Sequence, residues 1–214
     1  MKTTSPFASK YAPQTFSDIV FASDKTKAHL DLYVQGTKAS HLILWGTNGV
    51  GKTTIAELLP KAIEKKDNVA VHRIDAIDIK TNISRVIETM KNCQSLAKLN
   101  GHRYYAIVEE LDFDHKNCSQ FSTHIERIQA DSMVIICTNQ PTAISRAILS
   151  RCTTIEIAPA TPQDFLARAK YILDQEGFAK LPDDILIQLL QEEERHKDNR
   201  KYLDKLATLV ALTK

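Results

Sequence analysis

The octapeptide GTNGVGKT, residues 46–53, directly follows the apolar run HLILW and opens the stretch KTTIAELLPKAI. Gly46, Gly49 and Gly51 let backbone N–H groups turn inward around an anion at the start of a helix, where the helix dipole adds positive potential. Lys52 can then reach β- and γ-phosphates and the Thr53 hydroxyl can bind Mg²⁺, with Thr47, Asn48, Val50 and Thr54 completing the loop. A strand before and a helix after are the context that the spacing GxxxxGK[ST] requires, so the segment is expected to hold a nucleotide triphosphate and its metal.

Transfer of a phosphoryl group to water also needs carboxylates at a neighbouring strand end. YYAIVEELD supplies Glu109, Glu110 and Asp112. Glu110 is placed as the base that activates water and Glu109 beside Mg²⁺, while Asp112 can equally cap the next helix. The run SMVIICTN ends in Thr138 and Asn139. An amide at the carboxyl end of a buried parallel strand lies where open α/β sheets bind ligands, so Asn139 could orient the attacking water; a turn before Gln140 and Pro141 is its other use. AILSRC carries Arg146 and Arg151. By residue type alone these are surface charges, although an arginine can also stabilise a phosphoryl group bound by a neighbouring subunit.

The elements that must position these groups are legible from periodicity. Apolar runs of strand length, HLILWG (41–46), VAVHRID (69–75), YYAIVEE (104–110), SMVIICTN (132–139) and TIEIAP (154–159), alternate with helical stretches. Runs apolar throughout indicate a parallel sheet buried on both faces, hence a doubly wound α/β domain of five strands flanked by helices. Residues 1–20, punctuated by Pro6 and Pro13, are expected to form an irregular arm leading into a helix at about 24–35. At residue 159 the pattern changes: Thr161 is placed as an N-cap, Pro162 at the first helical position and Asp164 near the positive helix end. Helical stretches at 182–194 and 199–212 follow. The expected organisation is a nucleotide-binding α/β domain over 1–159 and a small all-helical lid domain over 160–214.

Composition narrows the class. A chain of 214 residues with 43% hydrophobic and 25% charged residues reads as a globular protein with a core of its own. No apolar run approaches the roughly 20 residues of a spanning helix, and MKTTSPFASK lacks a signal-peptide core, so a cytoplasmic protein without a membrane partner is expected. A net charge of +2 is too small to draw nucleic acid by bulk attraction. Cys93, Cys118, Cys137 and Cys152 contain no CxxC pair, so neither a zinc ribbon nor a redox motif is supported, and four buried reduced thiols are expected.

Taken together, these segments resemble the ATPase module of the AAA+ family and, within it, the clamp loaders. The likeness runs over nearly the whole chain. SKYAPQTFSDIVF resembles an N-terminal segment that packs around adenine, matching at Lys10, Tyr11 and Pro13 with Ala12 in place of an arginine. The Walker A motif matches at Gly46, Gly51, Lys52 and Thr53. Walker B corresponds to Glu109, Glu110, Leu111 and Asp112, its metal-side Asp replaced by Glu109. Asn139 falls on the sensor 1 position, Ser150, Arg151 and Cys152 reproduce a Ser-Arg-Cys motif whose arginine acts on ATP of the adjacent subunit, and DNRKYLDKL resembles sensor 2, making Arg200 a γ-phosphate contact in cis.

IDAIDIKTNISRVIETM is similar to a segment whose arginine points at the DNA backbone; Arg85 takes that place, with Lys80 or Asn82 adding phosphate contacts of no sequence preference. The other use of Arg85 is a surface pair with Glu88. The resemblance implies ATP and Mg²⁺ as ligands. It implies as partners DNA, a sliding clamp or other replication protein, and further AAA+ subunits in a homo- or hetero-oligomer. The chain ends after the lid, short of the collar domain of clamp loaders, and a stable pentamer is therefore not expected. A helicase-loader or transposition-type AAA+ ATPase, and a non-hydrolysing subunit that donates Arg151 to a partner, are the alternatives. A small-molecule kinase shares the phosphate loop but not the Ser-Arg-Cys and Asp-x-Arg pair.

Overall fold

The described residues, 6–109, 115–128, 132–178 and 181–213 of a computed structural model, run from α1 (Pro6–Lys10) and α2 (Asp24–Val34) into β1 (His41–Trp45) and α3 (Lys52–Glu64). They continue through β2 (Val71–Asp75), α4 (Ala76–Leu99), β3 (Tyr104–Glu109), α5 (His115–Arg127), β4 (Ser132–Thr138), α6 (Arg146–Leu149) and β5 (Cys152–Glu156). Three helices close the chain: α7 (Pro162–Gln175), α8 (Asp183–Glu194) and α9 (Asn199–Thr213). Two compact units result: Ala28–Gly46 with Lys52–Glu156, and Met1–Lys27 with Thr47–Gly51 and Ile157–Lys214.

The first unit is the expected five-stranded parallel sheet, in the order β2-β3-β4-β1-β5. Its central strands are buried as the apolar runs require, β4 along its whole length. The edge strands differ from the expectation of apolar runs covered on both faces. β2 and β5 each fully bury a single residue, Ile74 and Ile155, because a strand with one neighbour leaves a flank to solvent. β5 also begins earlier than the run TIEIAP, since its pairing with β1 starts at His41 opposite Cys152. A core of Ile43, Ile79, Met90, Phe121, Ile136 and neighbours fills the space between sheet and helices. His41 locks two elements to β1: its Nδ1 accepts from the Val134 N–H at 3.1 Å, which leaves Nε2 to donate to the Ile125 carbonyl at 3.3 Å.

α4 is interrupted. Asn82 leaves helical geometry (φ −152°, ψ 76°), and its Oδ1 accepts from the Arg85 N–H at 3.0 Å, so it ends one short helix and caps the next. Of the cysteines, Cys137 is buried as expected, but Cys93 and Cys152 are half-buried, the latter because it starts an edge strand. Cys118 lies outside the residues whose side chains are described.

The second unit is helical. Thr161 accepts from the Asp164 N–H while the Asp164 carboxylate accepts from the Thr161 N–H at 2.8 Å, the capping box that starts α7 with Pro162 at its first position. Its core gathers Tyr11, Phe165, Ala169, Ile172, Leu190, Tyr202 and Leu206. The N-terminal arm is less irregular than its prolines imply, because α1 starts at Pro6, where a proline costs no helical hydrogen bond. Tyr11 then anchors it: its hydroxyl donates to Glu176 at 2.6 Å and its carbonyl accepts from Arg168 at 3.0 Å. Among the described residues no helix is long and apolar enough to cross a membrane.

Candidate nucleotide site

Parallel pairing brings three strand ends together. Trp45 pairs with Thr138 and Glu109 with Cys137, so Gly46, Glu109 and Asn139 stand at the carboxyl ends of the adjacent strands β1, β3 and β4. The strand order reverses at β1, which is where open α/β sheets bind ligands.

The loop after β1 uses glycine where nothing else fits well. Gly49 and Gly51 have φ of 78° and 99°, a region that a Cβ penalises. Lys52, only 9% exposed, curls its ammonium back to the Gly46 carbonyl at 2.9 Å. That keeps a buried positive charge against the last carbonyl before the loop. Thr53 and Thr54 follow on the first turn of α3, both half-buried.

Glu109 complements this charge. Its Oε1 is buried and has no hydrogen-bond partner among the described residues. The neighbouring Cys137 thiol is pushed up to about 12 by burial first and by the charge of Glu109 second, with Lys52 acting in the opposite sense. Both charges therefore lie within reach of one buried sulfur. A buried carboxylate oxygen left without a donor is costly and suits a cation. Mg²⁺ takes oxygen ligands and is held by one or two protein groups plus phosphate oxygens, so Glu109 and the Thr53 hydroxyl fit it. No group of three or more His, Cys, Asp or Glu residues that could hold a metal alone occurs among the described residues. Glu110, Leu111 and Asp112 lie outside the described residues.

Asn139 is exposed just past β4. The hydrogen bond that turns the chain there comes from its neighbour, the Thr138 hydroxyl accepting from the Gln140 N–H at 3.0 Å. The Asn139 amide itself makes no hydrogen bond among the described residues.

Arg151 sits elsewhere. It precedes β5, at the amino ends of the parallel strands, and four strand steps, or roughly 13 Å, separate the level of its neighbour Cys152 from that of the Glu156–Trp45 pair beside Gly46. Arg151 Nη1 donates to the Ala147 carbonyl at 2.5 Å, and Nη2 pairs with Glu126 on α5 at 2.6 Å. Its Nε is buried and has no partner among the described residues. Arg146 is exposed at the start of α6.

In the helical unit the start of α9 rests on loop residues 47–51. The Thr47 hydroxyl donates to the Lys197 carbonyl at 3.1 Å, and the Asn199 amide reaches the Val50 carbonyl at 3.5 Å while accepting from the Ala160 N–H at 2.9 Å. The Asp198 carboxylate lies where a side chain at position 49 would project: a Cβ there would stand 1.8 Å from Asp198 Oδ1. Arg200 donates to the same carboxylate through Nε at 2.9 Å and Nη2 at 2.6 Å, and its backbone N–H to Oδ1 at 3.0 Å. Burial pushes the Asp198 carboxyl up, but the hydrogen bonds of Arg200 outweigh it and hold it below its ordinary value.

The remaining expected contacts are distributed more widely. Tyr11 is 5% exposed, its ring packed 4.8 Å from that of Phe7, and offers a ligand little surface; Pro13 is half-buried. Lys80, Asn82 and Arg85 are exposed along α4. Asn82, Arg85, Arg73, Thr81 and Asp78 border a cleft of about 380 Å³. The Asn82 side-chain oxygen is committed to capping, which leaves its amide, and no Arg85–Glu88 ion pair occurs among the described residues. Sequence reasoning places Asp198 in the Asp-x-Arg pattern without giving it a role of its own, and does not single out Asn199 or Glu126. For Asp198 a signal was present, because a carboxylate two residues before Arg200 at a helix start is spaced to cap that helix. Glu126 carries none, since its partner is 25 residues away.

Residues 42–160 match the model of the ATPase family associated with various cellular activities. A replication factor C small subunit of Methanosphaera stadtmanae is 29% identical over 83% of this chain and 54% of its own. The replication factor C small subunit 1 of Pyrobaculum arsenaticum is 26% identical over 96% of this chain and 62% of its own. This chain thus spans little more than half the length of these relatives. Among solved structures, domain III of the Thermotoga maritima replication initiation protein DnaA superposes with a TM-score of 0.62 at 14% identity, covering 89% of this chain and 85% of that one. The Thermotoga maritima RuvB Holliday junction branch migration motor gives 0.59 at 15% identity over 93% and 72%. At such identities these two likenesses concern the fold.

Proposed function

Because the chain belongs to the ATPase family associated with various cellular activities, we propose that it is an ATP-hydrolysing switch of the clamp-loader type in DNA replication. It acts on DNA and on a DNA-bound partner such as a sliding clamp, in the cytoplasm and as one of several AAA+ subunits. The relatives named replication factor C small subunit support this assignment. The observation that carries the mechanism is the position of Arg151 at the amino end of the sheet, away from Gly46, Glu109 and Asn139 at its carboxyl end. An arginine so placed serves the ATP of another subunit rather than its own, and stabilises the charge spread over the transferred phosphoryl group.

Within one subunit, an α/β domain over 1–159 binds the nucleotide and a small all-helical lid domain over 160–214 follows it. Loop 46–54 cradles the phosphates and Lys52 moves from the Gly46 carbonyl to the β- and γ-oxygens. Thr53 and Glu109 would hold Mg²⁺, which would supply neutralising charge for the transferred phosphoryl group. Glu110 takes the proton of the attacking water, Asn139 orients that water, and Arg200 contacts the γ-phosphate. Tyr11 and Pro13 support the adenine side through the arm. Lys80, Asn82 and Arg85 contact DNA phosphates without reading sequence.

ATP turnover measured against protein concentration, with and without primed DNA, tests this for the wild type and Arg151→Ala. Turnover is expected to rise faster than linearly, to increase with DNA, and to fall by about three to five orders of magnitude in the variant while ATP still binds. Turnover proportional to concentration and unchanged by Arg151→Ala would refute a trans-acting arginine. ATP binding with no turnover under any condition would favour the non-hydrolysing subunit, for which Glu109 in place of the family's Asp is the supporting feature.

A further inference from the structure

We propose that Asp198 and the phosphates of ATP are alternative partners for one guanidinium, so that Asp198 sets how readily a triphosphate engages Arg200. The inference deepens the function proposed above and rests on Arg200 being a phosphate contact.

Three features of the helical unit carry it. First, the carboxylate lies on the phosphate loop itself, so close to Gly49 that any side chain at that position would collide with it. Second, the flanking residues are fastened to the same loop through the Thr47–Lys197 and Asn199–Val50 hydrogen bonds, so Asp198 is held there by its neighbours. Third, Arg200 presents one edge of its fork, Nε and Nη2, to both oxygens of Asp198. That edge is the one a phosphate would take, since carboxylate and phosphate are the two oxyanions that match a guanidinium bidentately.

The exposures differ in a way that suits exchange. The Asp198 side chain is 17% exposed and that of Arg200 47%, so the arginine has its outer side in solvent and can swing while the carboxylate stays enclosed. The ion pair is thus of the partly exposed kind that is weak in water and readily replaced by a more highly charged partner. A γ-phosphate meets that condition better than a diphosphate, whose charge ends one group short. Asp198 therefore competes chiefly against the triphosphate, because only the γ-phosphate has to draw Arg200 off its carboxylate.

Asp198→Asn removes the charge and keeps a good helix cap of nearly the same shape; Asp198→Ser does the same with a shorter side chain. Binding of ATPγS and of ADP, each with Mg²⁺, to the full chain is measured by calorimetry. It is repeated for Asp198→Asn, Asp198→Ser, Arg200→Ala and the double variant Asp198→Asn/Arg200→Ala. The expected result is about three- to tenfold tighter ATPγS binding in Asp198→Asn, a smaller change for ADP, and no gain in the Arg200→Ala background. Unchanged or weaker ATPγS binding in both Asp198 variants, an equal gain for ADP, or a gain that persists without Arg200 would each overturn the proposal. If Arg200→Ala weakens ATPγS binding and the Asp198 variants are silent, only this inference falls. If Arg200→Ala alone changes nothing, Arg200 is no phosphate contact and both fall together.

Discussion

Replacing Gly49 by alanine should be far more damaging than making the same change at Gly51, although both residues have a positive φ. At Gly51 the new methyl group meets nothing within 4 Å, so the cost is the left-handed backbone alone, about 1 kcal/mol. At Gly49 the Cβ would stand 1.8 Å from Asp198 Oδ1 and 2.2 Å from its Cγ, a distance that no side-chain adjustment of a few tenths of an ångström relieves. Asp198 must rotate away, losing its bond to the Arg200 N–H, worth about 1 kcal/mol as a helix cap, and its ion pair with Arg200, worth up to about 1 kcal/mol. The sum is about 2–3 kcal/mol, or a fall in melting midpoint of roughly 4–12 °C for a chain of this size. Urea and thermal unfolding of Gly49→Ala, Gly51→Ala, Asp198→Ala and the double variant Gly49→Ala/Asp198→Ala provide the assay. In the Asp198→Ala background the Gly49 substitution should cost only the backbone part, about 1 kcal/mol. If Gly49→Ala is no worse than Gly51→Ala, or costs as much without Asp198 as with it, the contact between the loop and the start of α9 is wrong.

Two other perturbations test separate regions. Arg85→Ala should weaken binding to duplex DNA uniformly across sequences and reduce the salt slope by about 1; an unchanged slope in a salt titration would remove Arg85 from the DNA contacts. Acid should destabilise the α/β unit through His41, His72 and His124, which burial holds below the ordinary value of 6.5. The fold favours their neutral forms and the unfolded chain takes up protons first, so stability is complete above about pH 6.5 and is lost as the pH falls below it. Melting midpoints recorded between pH 7.5 and 5.5 should fall, and His41→Gln, which cannot take up a proton there, should flatten part of the fall. A midpoint independent of pH over this range would contradict that assignment.

The phosphate loop, five parallel strands and helical C-terminal part were all readable in the chain itself, because each depends on local chemistry. Glycines at 46, 49 and 51 before Lys52 specify a phosphate turn, apolar runs specify buried strands, and Thr161, Pro162 and Asp164 start a helix wherever they occur. The capping role of Asn82 is local too, but it hides inside a run of helical periodicity that a single residue breaks. What only the tertiary structure decided are relations between distant segments. Strand order is one: it sets Glu109 and Asn139 beside Gly46 and leaves Arg151 at the far end of the sheet, where sequence alone makes it a surface charge. The partners of the two arginines are another. Glu126 meets Arg151 because α5 packs beside α6, and Asp198 meets Gly49 because the start of α9 folds back onto loop 47–51. Such contacts leave no periodicity in the chain, since the energy that selects them comes from burying helices and sheet together rather than from any preference of the residues in sequence.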